Sequence, residues 1–131
     1  MSGGRVIQSK SANLTHDATT SSGSYALVHA DVSISITTGA RSLRIAAQIA
    51  CNGVGSSAGV AAIFVDGVQK SCGMHPNGGN YATISMLDKV SVSAGSHTVE
   101  IRWKTFGTSL TCNAATNPDF YAASIVVEEV T

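Results

Sequence analysis

Charged residues are scarce in this chain of 131 residues. Asp, Glu, Lys and Arg make up 12% of it, against roughly 25% in an average soluble protein. The formal net charge is +0, so the sequence carries no basic surface for nucleic acid or an anionic membrane. We therefore expect neither nucleic acid nor a membrane as a partner. A near-neutral surface favours association with other proteins instead.

Long apolar runs and cysteine pairs are also missing. The opening MSGGRVIQSK has no apolar core of signal-peptide length, and no segment approaches the roughly 20 apolar residues of a spanning helix. We expect a protein that is made in the cytoplasm. The three cysteines, Cys51, Cys72 and Cys112, are too few for a disulfide scaffold. We expect them to be reduced and mostly buried, with one disulfide beside one free thiol as the alternative.

No segment shows a helical period, whereas an alternation of apolar and polar residues begins at Tyr25 and continues to the end of the chain. Val32, Ile34 and Ile36, for example, alternate with Ser and Thr, which is typical of a half-buried strand. The short strands recur about every ten residues. This spacing predicts an all-β fold, an antiparallel β-sandwich of jelly-roll type. The side chains expected between its two sheets include Ile45, Ile49, Ile63, Val99 and Ile101.

Two glycine-containing turns punctuate the strands. Asp66-Gly67 lies between apolar runs and predicts a type I′ hairpin, because both central positions of that turn need positive φ. In VSVSAGSHTVEIRW two alternating runs meet at Ala94-Gly95, which predicts a second hairpin.

The first 24 residues differ from the rest. Residues 1–24 are rich in Ser, Thr, Gly and Asn, with one short apolar island. This composition predicts an irregular polar N-terminal arm before a β-sandwich domain over residues 25–131. We expect the arm to be held by an edge of the domain or by a neighbouring subunit, and to contact a partner. The residues expected to make that contact are Arg5, Val6, Ile7 and Lys10.

One motif invites a catalytic interpretation. GSSAG matches G-x-S-x-G with Ser57 in the nucleophile position, and Asp88 and His97 complete the order of a hydrolase triad. The motif requires a strand, a sharp turn and a helix. Here it is followed by the strand-like VAAIFVDG, so a loop is the favoured interpretation. We expect no catalytic residues and no enzyme, and we keep the hydrolase as the last of three hypotheses.

The sequence also offers little evidence of a metal site. Cys72 and His75 in CGMH form the closest pair of ligand residue types, whereas a structural zinc site normally needs two such pairs. We therefore expect no metal and no cofactor, apart from the alternative of a metal shared by His75 across a symmetry axis. His97 begins a strand on its apolar side and is expected to be a hydrogen-bonded core histidine.

Several segments carry a family resemblance. SYALVHADVSISITTGARSLRI, FVDG, VSVSAGSHTVEIRWKT and SIVVEEV follow in an order that resembles small β-sandwich domains of tailed-phage and prophage structural proteins. The resemblance covers about residues 25–130. It implies a jelly roll, often trimeric, that serves as a capsid decoration or cement protein, a head fibre or a tail knob, without catalytic residues. The sequence has no collagen-like or coiled-coil stalk before the domain, which disfavours the fibre forms.

The first functional hypothesis follows from that resemblance. It is a non-enzymatic virion protein, assembled in the host bacterial cytoplasm, that binds the head exterior as a homotrimer with the major capsid protein as its partner. The alternative is a receptor- or glycan-binding tip that uses loops 52–59 and 76–80. A carbohydrate platform would need two or three aromatic rings on one surface. Tyr25, Tyr81 and Tyr121 each lie at a strand edge, but spacing alone does not bring them together.

Overall fold

The computed structural model describes residues 5–53, 58–75 and 81–131 and contains two antiparallel sheets that form a β-sandwich, as predicted. A short 3-10 helix, Ala30–Val32, is the one helical segment among these residues. The strands are β1 Val6–Asn13, β2 Asp17–Thr20, β3 Ala26–Leu27, β4 Ser33–Thr38, β5 Arg41–Gly53, β6 Gly59–Val65, β7 Val68–His75, β8 Tyr81–Val92, β9 Gly95–Thr105, β10 Leu110–Asn113 and β11 Ala122–Val130.

Each sheet is organised around a long strand of its own, β5 in the larger sheet and β9 in the smaller one. In the larger sheet β5 pairs with β8, β10 and β11, while β1 pairs with β11 and β2 with β10. In the smaller sheet β9 pairs with β3, β4 and β6, and β7 pairs with β6. From β4 to β10 every connection except the β6–β7 turn crosses between the sheets. This is the connectivity of a jelly roll.

The two predicted hairpins have different outcomes. Asp66 and Gly67 have φ values of 51° and 80° and join β6 to β7, so the type I′ hairpin is confirmed. The hairpin at Ala94-Gly95 is wrong, because β8 pairs with β5 in the larger sheet and β9 lies in the smaller one. Gly95, at φ 135°, lies where the chain passes between the sheets. Alternation identifies the buried face of a strand, but it does not identify the strand's neighbour.

The core lies between the sheets, where the sequence predicted it. Trp103 is its largest side chain and is 1% exposed. Burial of such side chains stabilises the fold by about 25 cal/mol per Å² of apolar area. The five aliphatic side chains predicted to be interior are all 0% exposed, namely Ile45, Ile49, Ile63, Val99 and Ile101.

The N-terminal segment is not an irregular arm in its described part, and that prediction is wrong. β1 pairs with β11 and β2 pairs with β10. Gln8 Nε2 donates to the Thr37 carbonyl at 2.6 Å, and Lys10 Nζ donates to the Ser35 carbonyl at 2.8 Å. β1 thereby connects the larger sheet to β4 of the smaller one. The polar composition is that of an exposed edge strand, which backbone hydrogen bonds hold in place.

A buried carboxylate anchors this edge. Glu129 is 2% exposed and accepts hydrogen bonds from Gln8 Nε2 at 2.7 Å, the Gly39 amide at 3.0 Å and Arg41 Nη1 at 3.0 Å. These hydrogen bonds, of which the one from Gln8 has the largest effect, hold the pKa of Glu129 below its ordinary value. Three segments distant in sequence therefore meet at one side chain.

Deletion of residues 1–13 should destabilise the sandwich. The deletion removes the β1–β11 ladder and the Gln8 donor to Glu129, so we expect the free energy of unfolding to fall by about 2 kcal/mol or more. Chemical denaturation measures this change. Ser9→Ala, on the exposed side of the same strand, is the control and should stay within about 0.5 kcal/mol of the parent. An unchanged midpoint for the deletion would show that β1 contributes no stability.

His97 is the buried, hydrogen-bonded histidine that the sequence predicted. Its Nδ1 lies 2.6 Å from Asp66 Oδ2, and its Nε2 lies 2.7 Å from the Ser93 carbonyl. Both nitrogens face acceptors, and the ring can donate from both only as the imidazolium. The hydrogen bond to Asp66 raises the pKa of His97 and lowers that of Asp66. The pair joins the β6–β7 turn to the start of β9.

The Asp66–His97 pair should make stability depend on pH. The folded-state pKa of His97 is raised from 6.5, so its contribution is fully present below about pH 6.5 and is lost as pH rises through the raised value. Asp66 acts in the opposite sense, because its pKa is lowered from 3.8 and its contribution is lost as pH falls through the lowered value. We expect His97→Gln to cost more stability at pH 6 than at pH 9 in urea denaturation. Asp66→Asn should remove most of the same pH dependence. Equal costs at both pH values would contradict this assignment.

Candidate functional site

The outward side of β11, β5 and β8 in the larger sheet carries a continuous surface of uncharged side chains. The register aligns β11, β5 and β8, so that outward-facing residues form rows across three strands. The central row is Val126, Ala46 and Leu87. We call this surface the uncharged face, and its members are Ala46, Gln48, Ala50, Thr83, Ser85, Leu87, Ala122, Ser124 and Val126.

The centre of the uncharged face is apolar and open to solvent. The Leu87 residue is 75% exposed and Val126 is 37% exposed. They line an open groove of about 340 Å³, together with Ala46 and with Ser and Gln side chains. The face arises because alternate residues of β5 and β8 point inward, among them Ile45 and Ile84. The residues between them must face outward.

One end of the uncharged face is closed by an ion pair. Arg44 Nε lies 2.9 Å from Glu128 Oε1, and their side chains are 51% and 29% exposed. Lys89 lies in the same row, opposite Arg44. A surface pair of this kind adds little to stability. Its effect is to neutralise the arginine beside the apolar row, so the face presents little net charge to a partner.

The other end of the uncharged face carries aromatic rings. Tyr81 and Phe120 are stacked with ring centroids 5.6 Å apart, and the two residues are 48% and 60% exposed. Tyr121, 7% exposed, lies 4.8 Å from Tyr81, and a hydrogen bond with it raises the pKa of Tyr81. Two exposed rings on one surface meet the minimum for a carbohydrate platform. The sequence pointed to the two tyrosines but not to Phe120.

A separate cluster of ligand residue types was missed at the sequence level. His16 Nδ1 and His29 Nδ1 lie 2.6 Å and 3.4 Å from Asp31 Oδ2. The two imidazole rings are stacked, with centroids 4.5 Å apart. The short spacing of His29 and Asp31 is visible in the sequence, whereas His16 joins them only through the fold.

Comparisons with known proteins show similarity in structure alone. No family model matches the sequence, and no curated protein matches it. A chain of the T13 IBDV viral particle superposes with a TM-score of 0.49 and 13% identity, over 93% of this chain and 35% of that one. The insecticidal δ-endotoxin Cry8Ea1 from Bacillus thuringiensis gives 0.46 and 10%, over 91% and 19%. The C-terminal domain of EclA, a sugar-binding protein, gives 0.44 and 12%, over 95% and 78%.

The matched proteins are mostly larger than this chain. It spans about a third of the viral-particle chain and about a fifth of the endotoxin. Within the part of the chain that the structure describes, no helix has the length and hydropathy needed to cross a membrane.

The proposed triad and the CGMH pair do not form sites among the described residues. Ser57 lies outside those residues, and His97 is bonded to Asp66 and Ser93, with no hydrogen bond to Asp88. Cys72 is exposed while His75 is fully buried, so the two point to opposite faces of β7. His75 Nε2 instead faces the Cys51 carbonyl at 3.2 Å.

The cysteines agree with the sequence prediction in two of three cases. All three are free, as expected, and Cys51 and Cys112 are buried. Burial raises the pKa of the Cys51 thiol to about 12 and that of Cys112 to about 11, so both are unreactive at neutral pH. Cys72 is exposed, and the prediction of burial is wrong for it.

The residues predicted to contact a partner lie at the start of the chain, beside and on β1. The Arg5 amide donates to Thr131 Oγ1 at 2.9 Å, and Lys10 bonds to Ser35. Val6 and Ile7 are 41% and 39% exposed. These residues therefore hold the edge of the sheet, and their contact with a partner stays a prediction.

Proposed function

We propose that this chain is a non-enzymatic structural protein of a virion, a capsid decoration protein that binds the head exterior as a homotrimer. The observation that carries the proposal is the uncharged face, with Leu87 open to solvent at its centre. Protein contact surfaces are depleted of charge at their centre. The phage assignment rests on the resemblance of residues 25–130 to tailed-phage structural domains.

A second copy of the chain is the occupant that fits the uncharged face. Apart from Gln48 and Leu87, its side chains are short, so few rotamers are lost when they are covered. The only charges in the adjoining row are Arg44, Glu128 and Lys89, and the first two are already paired. With a formal net charge of +0, two copies do not repel each other. Covering Leu87 and Val126 then removes exposed apolar area.

Trimerisation explains how weak contacts could hold a shell. Three linked copies bind with raised effective concentration, so each contact with the capsid can be modest. A protein that binds only the assembled shell stabilises that state by mass action. The exposed β1 edge, including Val6 and Ile7, provides the surface for the capsid subunit in this arrangement.

Leu87→Arg should dissociate the oligomer. A cyclic trimer uses the same two surfaces in every copy, so one substitution alters all three contacts. Burial of an unpaired guanidinium costs several kcal/mol, which weakens association by at least about 100-fold. We expect native mass spectrometry to give a trimer for the parent protein and a monomer for the variant. The monomer should also bind purified phage heads far less in co-sedimentation.

Val68→Arg is the matched control for this experiment. Val68 is also an exposed aliphatic residue, at 55%, but it lies on β7 of the smaller sheet. The Val68→Arg variant should keep the trimer mass of the parent protein and its binding to heads. A monomeric parent protein, or a variant at position 87 that remains trimeric, would refute self-association through the uncharged face. A trimer that does not sediment with heads would refute the decoration role alone.

The stacked pair of Tyr81 and Phe120 favours a second candidate, a glycan-binding tip. Sugar rings pack against exposed aromatic faces, and each such contact is worth about 1 kcal/mol. If this is the function, a glycan array should detect binding that Tyr81→Ala or Phe120→Ala weakens by about fivefold. Phe106→Ala is the control, because this ring is 59% exposed but lies beyond β9 of the smaller sheet. Equal binding by all three variants would remove this candidate.

A further inference from the structure

We propose that His16, His29 and Asp31 form a binding site for one divalent transition-metal ion of the zinc type. One ligand atom from each residue can be chosen so that all three lie within 4.8 Å of one another. His16 Nδ1 lies 2.6 Å and His29 Nδ1 3.4 Å from the same carboxylate oxygen, Asp31 Oδ2. No other group of three His, Cys, Asp or Glu residues in the described segments meets this condition.

The ligand set selects the class of metal. Two imidazoles and one carboxylate suit zinc and its neighbours in the first transition row, whereas calcium and magnesium prefer oxygen ligands alone. Three protein ligands also leave one position of a tetrahedral ion for water. The site is accessible from solvent, because the side chains of His16, His29 and Asp31 are 61%, 31% and 22% exposed.

The carboxylate is held in place by bonds that do not involve a metal. Asp31 Oδ2 accepts from the Thr15 amide at 2.9 Å and from Thr15 Oγ1 at 3.0 Å. These two bonds fix the position of the carboxylate whether or not a metal ion is bound.

The imidazoles are also positioned before binding. The hydrogen bond from the Asp31 amide to His29 Nδ1, at 3.0 Å, holds the His29 ring beside Asp31, and a metal ion bound at this nitrogen would replace that bond. The two rings are stacked 16° from parallel, so they lie side by side, and binding would tilt them until one nitrogen of each faces the ion. A metal ion would take the place of the hydrogen between His16 Nδ1 and Asp31 Oδ2, and the neutral imidazole would then carry its N–H on Nε2.

The position of the cluster indicates its consequence. His16 lies between β1 and β2, which belong to the larger sheet, whereas His29 and Asp31 lie between β3 and β4 of the smaller sheet. A bound ion would therefore join the two sheets near the N-terminal strands. Because an ion held only by the folded state stabilises that state, the site would couple metal availability to the stability of the sandwich.

Zinc titration of the full-length protein tests the proposal. We expect calorimetry to give one site per chain and zinc to raise the melting temperature. His16→Ala should weaken zinc binding by about tenfold or more, and Asp31→Asn should do the same. His16 is the preferred first variant because it is the most exposed of the three. Circular dichroism in the absence of metal verifies that each variant keeps its β-sheet.

Two controls separate this cluster from other ligands in the chain. Cys72→Ala removes an exposed thiol and His97→Gln a histidine bound to Asp66, and both should keep the zinc affinity. Cobalt substitution should give a visible spectrum without the intense near-ultraviolet band of a cobalt thiolate. The proposal is overturned if zinc in excess does not bind, if His16→Ala binds as the parent does, or if Cys72→Ala abolishes binding. The cluster would then be only a hydrogen-bonded ion pair.

Discussion

The burial of one face of each sheet against the other is the constraint on which this structure depends. A strand can direct only every second side chain into the layer between the sheets. On β5 the inward set includes Ile45 and Ile49, both 0% exposed, and the outward set includes Arg44 and Ala46. The uncharged face is thus the necessary reverse side of the core. The fold does not determine the size or charge of the side chains on this face, and in this chain most of them are small.

Polar side chains close the sandwich where apolar burial ends. Glu129 accepts hydrogen bonds from Gln8 and Arg41. At the β6–β7 turn, Asp66 is hydrogen-bonded to His97. Each contact joins residues that are distant in sequence, and the partner of each charge offsets the cost of its desolvation. The cluster around Asp31 follows the same pattern at the N-terminal strands, with imidazoles as the partners.

Local signals in the sequence predicted the parts of the fold that local forces determine. The alternation at Ile34 and Ile36 identified a strand and its buried face, although Val32, which continues the pattern, ends the 3-10 helix. Asp66-Gly67 identified a hairpin through its backbone requirement. Ala94-Gly95 misled, since two adjacent alternating strands can pair with each other or with third strands. The edge strand β1 was missed for a related reason, because ladder hydrogen bonds need no particular side chains. The candidate sites depend on which strands pair with which. Tyr81 on β8 contacts Phe120, before β11, only because the fold brings these two segments together.

The distribution of charge explains why the uncharged face, and not a charged patch, is the strongest candidate for contact. All three glutamates of the chain pair with an arginine, as Glu100 with Arg102, Glu128 with Arg44 and Glu129 with Arg41. Charges that are neutralised in such pairs produce little long-range field to attract a distant partner. Recognition by this surface must then rely on shape and on the burial of apolar area. These interactions act only at contact, so a protein that uses them gains most when several copies bind side by side.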